Sequence, residues 1–248
     1  MIGNIVHKVL RYRAIRKYLK KWLMRSFHIP AARRQGHWLF GQGLEDAYLM
    51  RIFRGRSSGW YVDVGANDGV FISNTFALYR RGWRGICVEP HPRAHATLIA
   101  NRPRDICLQC AVGNRSGEVE LAWDGEVSEG AHIGARSSSG HSAKVPIRRL
   151  ADILAENNVL MEFELLSIDV EGMETEVLDS LDWSQYSPRV VIIEYNSGGV
   201  VGHATFDYLL AKGYRPIAMN RWNFIMSRAW SEDVIAAHSS QDWFDVSA

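Results

Sequence analysis

Residues 189–195 read Arg-Val-Val-Ile-Ile-Glu-Tyr. A run this apolar and β-branched fits a strand covered on both faces, as in a parallel sheet flanked by helices. The pattern recurs from residue 60 onward. Further strands are expected at Trp60–Val64, Gly85–Glu89, Asp105–Val112 and Glu164–Asp169. Between them, helices are expected at Ser73–Arg81 (with Ser73 as its cap), near 93–101, and at Leu150–Glu156, Met173–Leu181 and His203–Lys212. Tyr214–Asn220 and Trp222–Ser227 read as two closing strands around a tight turn. Such alternation predicts an α/β fold, a mostly parallel sheet with helices on both faces. Ligands of such sheets bind beyond the carboxyl ends of the strands. The residues that end strands are therefore the informative ones.

The rest of the chain is read more coarsely. Residues 45–54 suggest a short helix, Glu118–Trp123 a short extra strand, and the Gly- and Ser-rich residues 124–143 a loop. The 248 residues suffice for one packed domain, expected at 37–248, and a short extension at 1–36. That extension carries ten Lys and Arg and no acid, whereas the remainder holds 19 Lys and Arg against 27 Asp and Glu. Ile15, Tyr18, Leu19, Trp22 and Leu23 fall on one face of a helix expected over 4–27, with basic residues between them. Such a helix suits peripheral contact with an anionic membrane, or packing on the domain or a partner. No run is long and apolar enough for a membrane span, and the start does not read as a signal peptide. The expected location is the cytoplasm, free or at the inner membrane surface. The three cysteines, Cys87, Cys107 and Cys110, are too few for a disulfide framework and read as buried strand residues.

The first strand ends in Asp63-Val-Gly65-Ala66-Asn67-Asp-Gly69. Glycines at a strand-to-helix turn let a ligand approach the backbone closely. The spacing departs from the dinucleotide pattern of three glycines, and the turn is acidic. Acids there disfavour a pyrophosphate and favour a ligand carrying an ammonium and a sulfonium. The second strand ends in Val88-Glu89-Pro90. An acid at this distance from the glycine turn can accept hydrogen bonds from ribose hydroxyls. The strand at 164–169 ends in Asp169-Val-Glu171-Gly172 and the one at 189–195 in Glu194-Tyr195-Asn196. Acids at neighbouring tips can orient an acceptor, take its proton or hold a cation.

Taken together, these stretches resemble the FkbM family of methyltransferases. The matching segments are Tyr61–Gly69, Ser73-Asn74-Thr75, Arg81–Pro90, Ala111-Val112-Gly113, Leu166–Gly172 and the Ile193-Glu194 strand end, in order over about residues 40–226. Gln42, Glu45 and Asp46 resemble the family's lead-in; residues 1–36 and 124–143 are not covered. The resemblance implies a Rossmann-like class I methyltransferase fold with a mostly parallel seven-stranded sheet, and S-adenosylmethionine as donor. It implies a hydroxyl acceptor on a sugar, glycan or secondary metabolite. By position, Asp63 and Gly65 would line the methionine part, with Ala66, Asn67, Gly69, Ser73, Asn74 and Thr75 in the same cofactor segment. Glu89 and Pro90 would lie at the ribose, Ala111 and Val112 at the adenine, and Asp169 beside the methyl.

Asp169, Glu171, Glu194 and His91 are the candidate general bases. No resident metal is assigned. A Mg²⁺ held by Asp169, Glu194 and Asn196 is the alternative, but a Glu stands where the shorter Asp is expected. The rival classes are an NAD-type oxidoreductase and a non-catalytic membrane-surface adaptor on the same fold. Nucleic acid is disfavoured as a partner: the core is acidic, and the tip at 169 lacks an Asn/Asp-Pro-Pro-aromatic motif.

Overall fold

The structure is a computed structural model, and it describes residues 40–41, 45–123, 131–133, 141–197, 200–201, 204–220 and 222–228. The chain divides into Met1–Leu39 and Phe40–Ala248, and the described residues all lie in the second unit. The basic helix expected at 4–27 lies outside the described residues. Among those described, no helix is long and apolar enough to cross a membrane.

The central sheet contains β1 (Trp60–Val64), β2 (Arg84–Val88), β3 (Ile106–Leu108), β8 (Leu165–Ile168), β9 (Val190–Glu194), β12 (Arg215–Met219) and β13 (Asn223–Ser227). Their order is β12-β13-β9-β8-β1-β2-β3. All run parallel except β13, which is antiparallel to both β9 and β12. The short β10 (Asn196–Ser197) and β11 (Val200–Val201) pair with each other after β9. From β1 the chain moves outward through β2 and β3, then returns to place β8 on the other side of β1. The switch point therefore falls between β1 and β8, where this architecture opens its crevice.

Strand side chains alternate between two apolar clusters, as period two requires. Val62, Ile86, Leu166 and Ile193 point to one face. There they meet α4 (Leu150–Glu156), α5 (Glu174–Ser180) and α6 (Ala204–Ala211) through Ile153, Leu178 and Leu209. Tyr61, Cys87, Leu165 and Ile192 point to the other. There they meet α1 (Glu45–Ile52), α2 (Phe76–Arg80) and α3 (Pro92–Asn101) through Leu49, Leu78 and Leu98. Both faces are covered, so the strands read as continuous apolar runs.

The structure departs from the sequence expectation in two stretches. Residues 105–112 are not one strand. β3 ends at Leu108; β4 (Ala111–Val112) then pairs with β7 (His141–Arg148) in a second sheet. The chain leaves the main sheet at its edge, where no further strand holds it. Residues 124–143 are not wholly loop either. β6 (His132–Ile133) and the start of β7 pair with β5 (Gly117–Trp123). This sheet has the order β4-β7-β5-β6. Only one of its faces is buried, through Val119, Leu121, Val145 and Ile147, so its sequence is half polar. The helix expected from Ser73 begins at Phe76. Thr75, not Ser73, holds the N-cap position and makes no cap bond; Ser73 lies two residues before it, its Oγ accepting from the Phe76 amide at 3.1 Å.

Gly65 fixes how closely β1 and β8 meet. A Cβ on it would lie 1.7 Å from the Asp169 carbonyl oxygen, and its φ of +85° is a glycine conformation. Leu166 is fully buried at the centre of the sheet. Leu166→Ala is expected to lower stability by about 2–5 kcal/mol. Urea unfolding should show a lower midpoint with an unchanged slope.

Candidate active site

A cavity of about 360 Å³ opens at the carboxyl ends of β1, β2, β8 and β9. Of the expected site residues, Asp63, Gly65, Ala66, Asn67, Ser73, Asn74, Glu89, Pro90, Ala111, Val112, Asp169, Glu171 and Glu194 line it. Gly69, Thr75 and His91 do not. Gly69 instead faces Leu98 and Arg102. Thr75 donates from Oγ1 to Asp63 Oδ2 at 2.6 Å. His91 caps α3, its Nδ1 accepting from the Ala94 amide at 3.3 Å, and its ring meets Trp123 edge-on at 4.6 Å. Burial lowers its pKa, so the ring is neutral at ordinary pH. Its Nε2 is buried and without a partner.

At the β2 tip, Glu89 is held from both sides. Oε2 accepts from the Asn67 amide and Oε1 from the His91 amide, each at 2.8 Å. These bonds fix the carboxyl beside the glycine turn and leave each oxygen a second lone pair. Burial pushes its pKa up to about 7, against the two amides. Asp63, at the end of β1, is also buried and its pKa is raised. Thr75, Arg102 and Ser167 oppose that rise.

The tips of β8 and β9 bring Asp169 and Glu194 together, and the two carboxyls share a hydrogen bond. Both pKa values are pushed up, first by burial and then by neighbouring carboxylates. The pair retains a proton where isolated carboxyls would have lost theirs. Glu194 Oε2 is buried with no partner. Glu171 stands beside the pair in a left-handed conformation, φ 54°, followed by Gly172 at 107°. Among the described residues, no three His, Cys, Asp or Glu are grouped to hold a metal ion.

Several contributors were not expected. The second sheet supplies an apolar wall through the paired Leu121 and Ile133, and through Ala131. Phe71, Ile72, Met173 and Trp222 also line the cavity. Ile72 is β-branched yet sits at φ 55°, a strained backbone of the kind found at ligand sites. The turn bearing Trp222 is tied to α1: Asn220 and Asn223 both donate side-chain amides to Glu45 Oε1. Behind the glycine turn lies Arg102, fully buried. It donates to Gly69 O at 2.6 Å and, at 2.9 Å each, to Tyr61 Oη, Ser73 Oγ and Thr75 Oγ1. It also pairs with the buried Asp105 at 3.2 Å. Burial opposes its charge, but Cys87, Tyr61, Asp63 and Asp105 lift its pKa above the usual guanidinium value.

The lining holds five carboxyls, Asp63, Glu89, Asp169, Glu171 and Glu194, and among the described residues no Lys or Arg. This donor set fits a cationic nucleoside: a carboxyl for ribose hydroxyls, a glycine cradle that any Cβ would fill, and acids for a sulfonium and an ammonium. The sheet order and the site define a Rossmann-like methyltransferase. A family model for the methyltransferase FkbM domain matches residues 63–216, more than half of the chain, and the chain belongs to that family. Membership of that family assigns S-adenosylmethionine as its cofactor.

No curated protein matches the chain. Among solved structures, it is similar to a TehB-like SAM-dependent methyltransferase from Corynebacterium glutamicum, at 9% identity and TM-score 0.42. That match covers 86% of this chain and 97% of the other. A precorrin-6y C5,15-methyltransferase from Geobacter metallireducens matches at 11% and 0.45, over 80% and 96%. An O-methyltransferase from Bacillus cereus matches at 13% and 0.39, over 89% and 88%. With TM-scores below 0.5, the fold assignment rests on the strand order itself.

The raised carboxyls have a consequence for stability. An acid with a higher pKa folded than unfolded binds protons better when folded, so stability falls as pH rises between the two values. For Glu89 that window runs from 4.5 to about 7. The melting temperature of the ligand-free protein is expected to fall over roughly pH 5–7, each such group contributing at most about 1.4 kcal/mol per pH unit. The rise in melting temperature on adding S-adenosylmethionine should grow over the same range. A flat ligand-free profile would contradict the assignment.

Proposed function

We propose that the protein transfers a methyl group from S-adenosylmethionine to a hydroxyl of a sugar, glycan or secondary metabolite. The observation carrying this reading is the Asp169–Glu194 pair: two carboxyls from adjacent strand tips, sharing a hydrogen bond on the cavity wall. When bound, the cofactor supplies an electrophilic methyl on a sulfonium. The residues supply the rest. Glu89 accepts hydrogen bonds from the ribose hydroxyls. Gly65, Ala66 and Asn67 give the cofactor close access to the backbone, and Asp63 faces its methionine part. Ser73 and Asn74 border that part, Pro90 the ribose, and Ala111 and Val112 flank the adenine.

Burial and neighbouring carboxylates raise both pKa values, so the pair shares a proton more readily than isolated carboxyls, and its deprotonated oxygen is the base that takes the acceptor's proton. Holding two reactants in near-attack geometry is worth roughly 7–11 kcal/mol, and a positioned base adds about 10²–10⁴-fold. Glu171 orients the acceptor at the rim. His91 orders the Glu89 turn from its place under α3.

The test is a methyl-transfer assay across a panel of polyhydroxylated acceptors, with S-adenosylhomocysteine as the readout. Asp169→Asn and Glu194→Gln are each expected to lower kcat about 10²–10⁴-fold, with cofactor affinity changed only a few-fold. Glu89→Ala should instead weaken cofactor binding in calorimetry. Variants that keep full kcat would remove the pair from the mechanism. Activity should persist in excess EDTA; its loss there would favour the metal alternative.

A further inference from the structure

Arg102 lies outside the cavity, yet one branch of its network reaches the wall. Nη2 donates to Thr75 Oγ1 at 2.9 Å, and that hydroxyl donates to Asp63 Oδ2 at 2.6 Å. The guanidinium can only donate, so the Thr75 hydroxyl accepts from it, and its own proton is directed to the carboxylate at 2.6 Å rather than to the more distant Ser73 Oγ at 3.4 Å. Asp63 is 5% exposed and lines the cavity. Its other neighbours are Ser167, which favours its charged form, and Cys87, Glu89, Asp105 and Asp169. Among these, Arg102 is the cation. The remaining contacts of Arg102, to Gly69, Tyr61, Ser73 and Asp105, serve the shape of the loop. The Thr75 branch is different, because it delivers charge to a ligand-facing group.

We infer that Arg102 and Thr75 are positioning residues that favour the anionic form of Asp63 against its burial at the cavity wall, where it receives the α-ammonium of the cofactor. This rests on the assignment of Asp63 to the methionine end of the cavity. A carboxylate so deeply buried among other acids would otherwise take up a proton and lose its pull on a cation. The hydroxyl relay transmits the guanidinium's charge without placing an Arg in the cavity, where it would repel both sulfonium and ammonium. Arg102 also lies against a stacked aromatic pair, 4.9 Å from the centroids of both Phe76 and Tyr79, which helps keep it dry and in place.

Two ligands isolate this role. S-adenosylhomocysteine carries the α-ammonium; 5′-methylthioadenosine has the same nucleoside and sulfur but lacks the amino-acid group. Calorimetry of both would be run on wild type, Thr75→Val, Thr75→Ser and Arg102→Lys. Thr75→Val keeps the side-chain shape and every other Arg102 contact, so it carries the test even if Arg102→Lys does not fold. The expected result is that Thr75→Val weakens S-adenosylhomocysteine by about 10- to 100-fold, the scale of a charged hydrogen-bonded contact. It should leave methylthioadenosine within about twofold of wild type, and Thr75→Ser should restore the first ligand. Equal loss of both ligands in Thr75→Val would make the relay a scaffold of the loop and overturn the inference. So would wild-type binding of both. A wild type that binds methylthioadenosine and S-adenosylhomocysteine equally well would overturn the role of Asp63 itself. Failure of wild type to bind either would overturn the cofactor reading, and the inference with it.

Discussion

The tips of β1 and β8 meet backbone to backbone. Gly65 turns away from β1 with no side chain, and the Asp169 carbonyl occupies the space a Cβ would need. The same two strands are bonded in register up to this point, and the Asp169 amide then donates to Val64 O at 2.9 Å. Everything functional depends on that contact. On one side of it lie Asp63, Glu89 and the glycine turn; on the other lie Asp169 and Glu194. A side chain at residue 65 would pry the strands apart and divide one cavity into two half-sites. The glycine is needed for space as much as for its positive φ.

Charge is arranged around that contact in two layers. Inside the cavity the charged side chains of the described lining are all acidic. Behind it, Arg102 is buried with Asp105 and Tyr61 and binds the loop from Gly69 to Thr75. An unpaired buried charge of either sign would be costly. Here the cation is saturated by hydrogen bonds, while the acids compensate partly by keeping protons. The protein thus holds a cationic ligand's counter-charges ready without bearing all of their mutual repulsion when empty.

The strand tips were legible because each strand is an apolar run that stops at a glycine or an acid, and the fold sends those stops to one edge. The Gly65 turn, Glu89, Asp169 and Glu194 all follow from that rule. Of the second sheet only β5 was legible, as the extra strand expected at Glu118–Trp123. β4 is two residues long, and β7 carries Pro146 and polar residues on its open face, so neither shows the pattern of a covered strand. Arg102 was hidden for a different reason. It stands in a polar Asn-Arg-Pro-Arg-Asp stretch, where an Arg is ordinarily solvated. Its partners at 61, 69, 73, 75 and 105 meet only once the sheet and α3 have formed. His91 was misleading in the opposite sense: its neighbours suggested the crevice rim, but the first turn of α3 claims its Nδ1.

The acidic lining also bears on how the enzyme lets go. Methyl transfer converts a sulfonium into a neutral thioether, so the spent cofactor has one positive charge fewer than the fresh one. In the proposed reaction Asp169 and Glu194 lie beside the sulfonium, and the pair takes up the acceptor's proton as that charge vanishes. Electrostatic attraction would then fall on both partners in the same event, and the carboxyls that recruit the donor would hold its by-product less tightly.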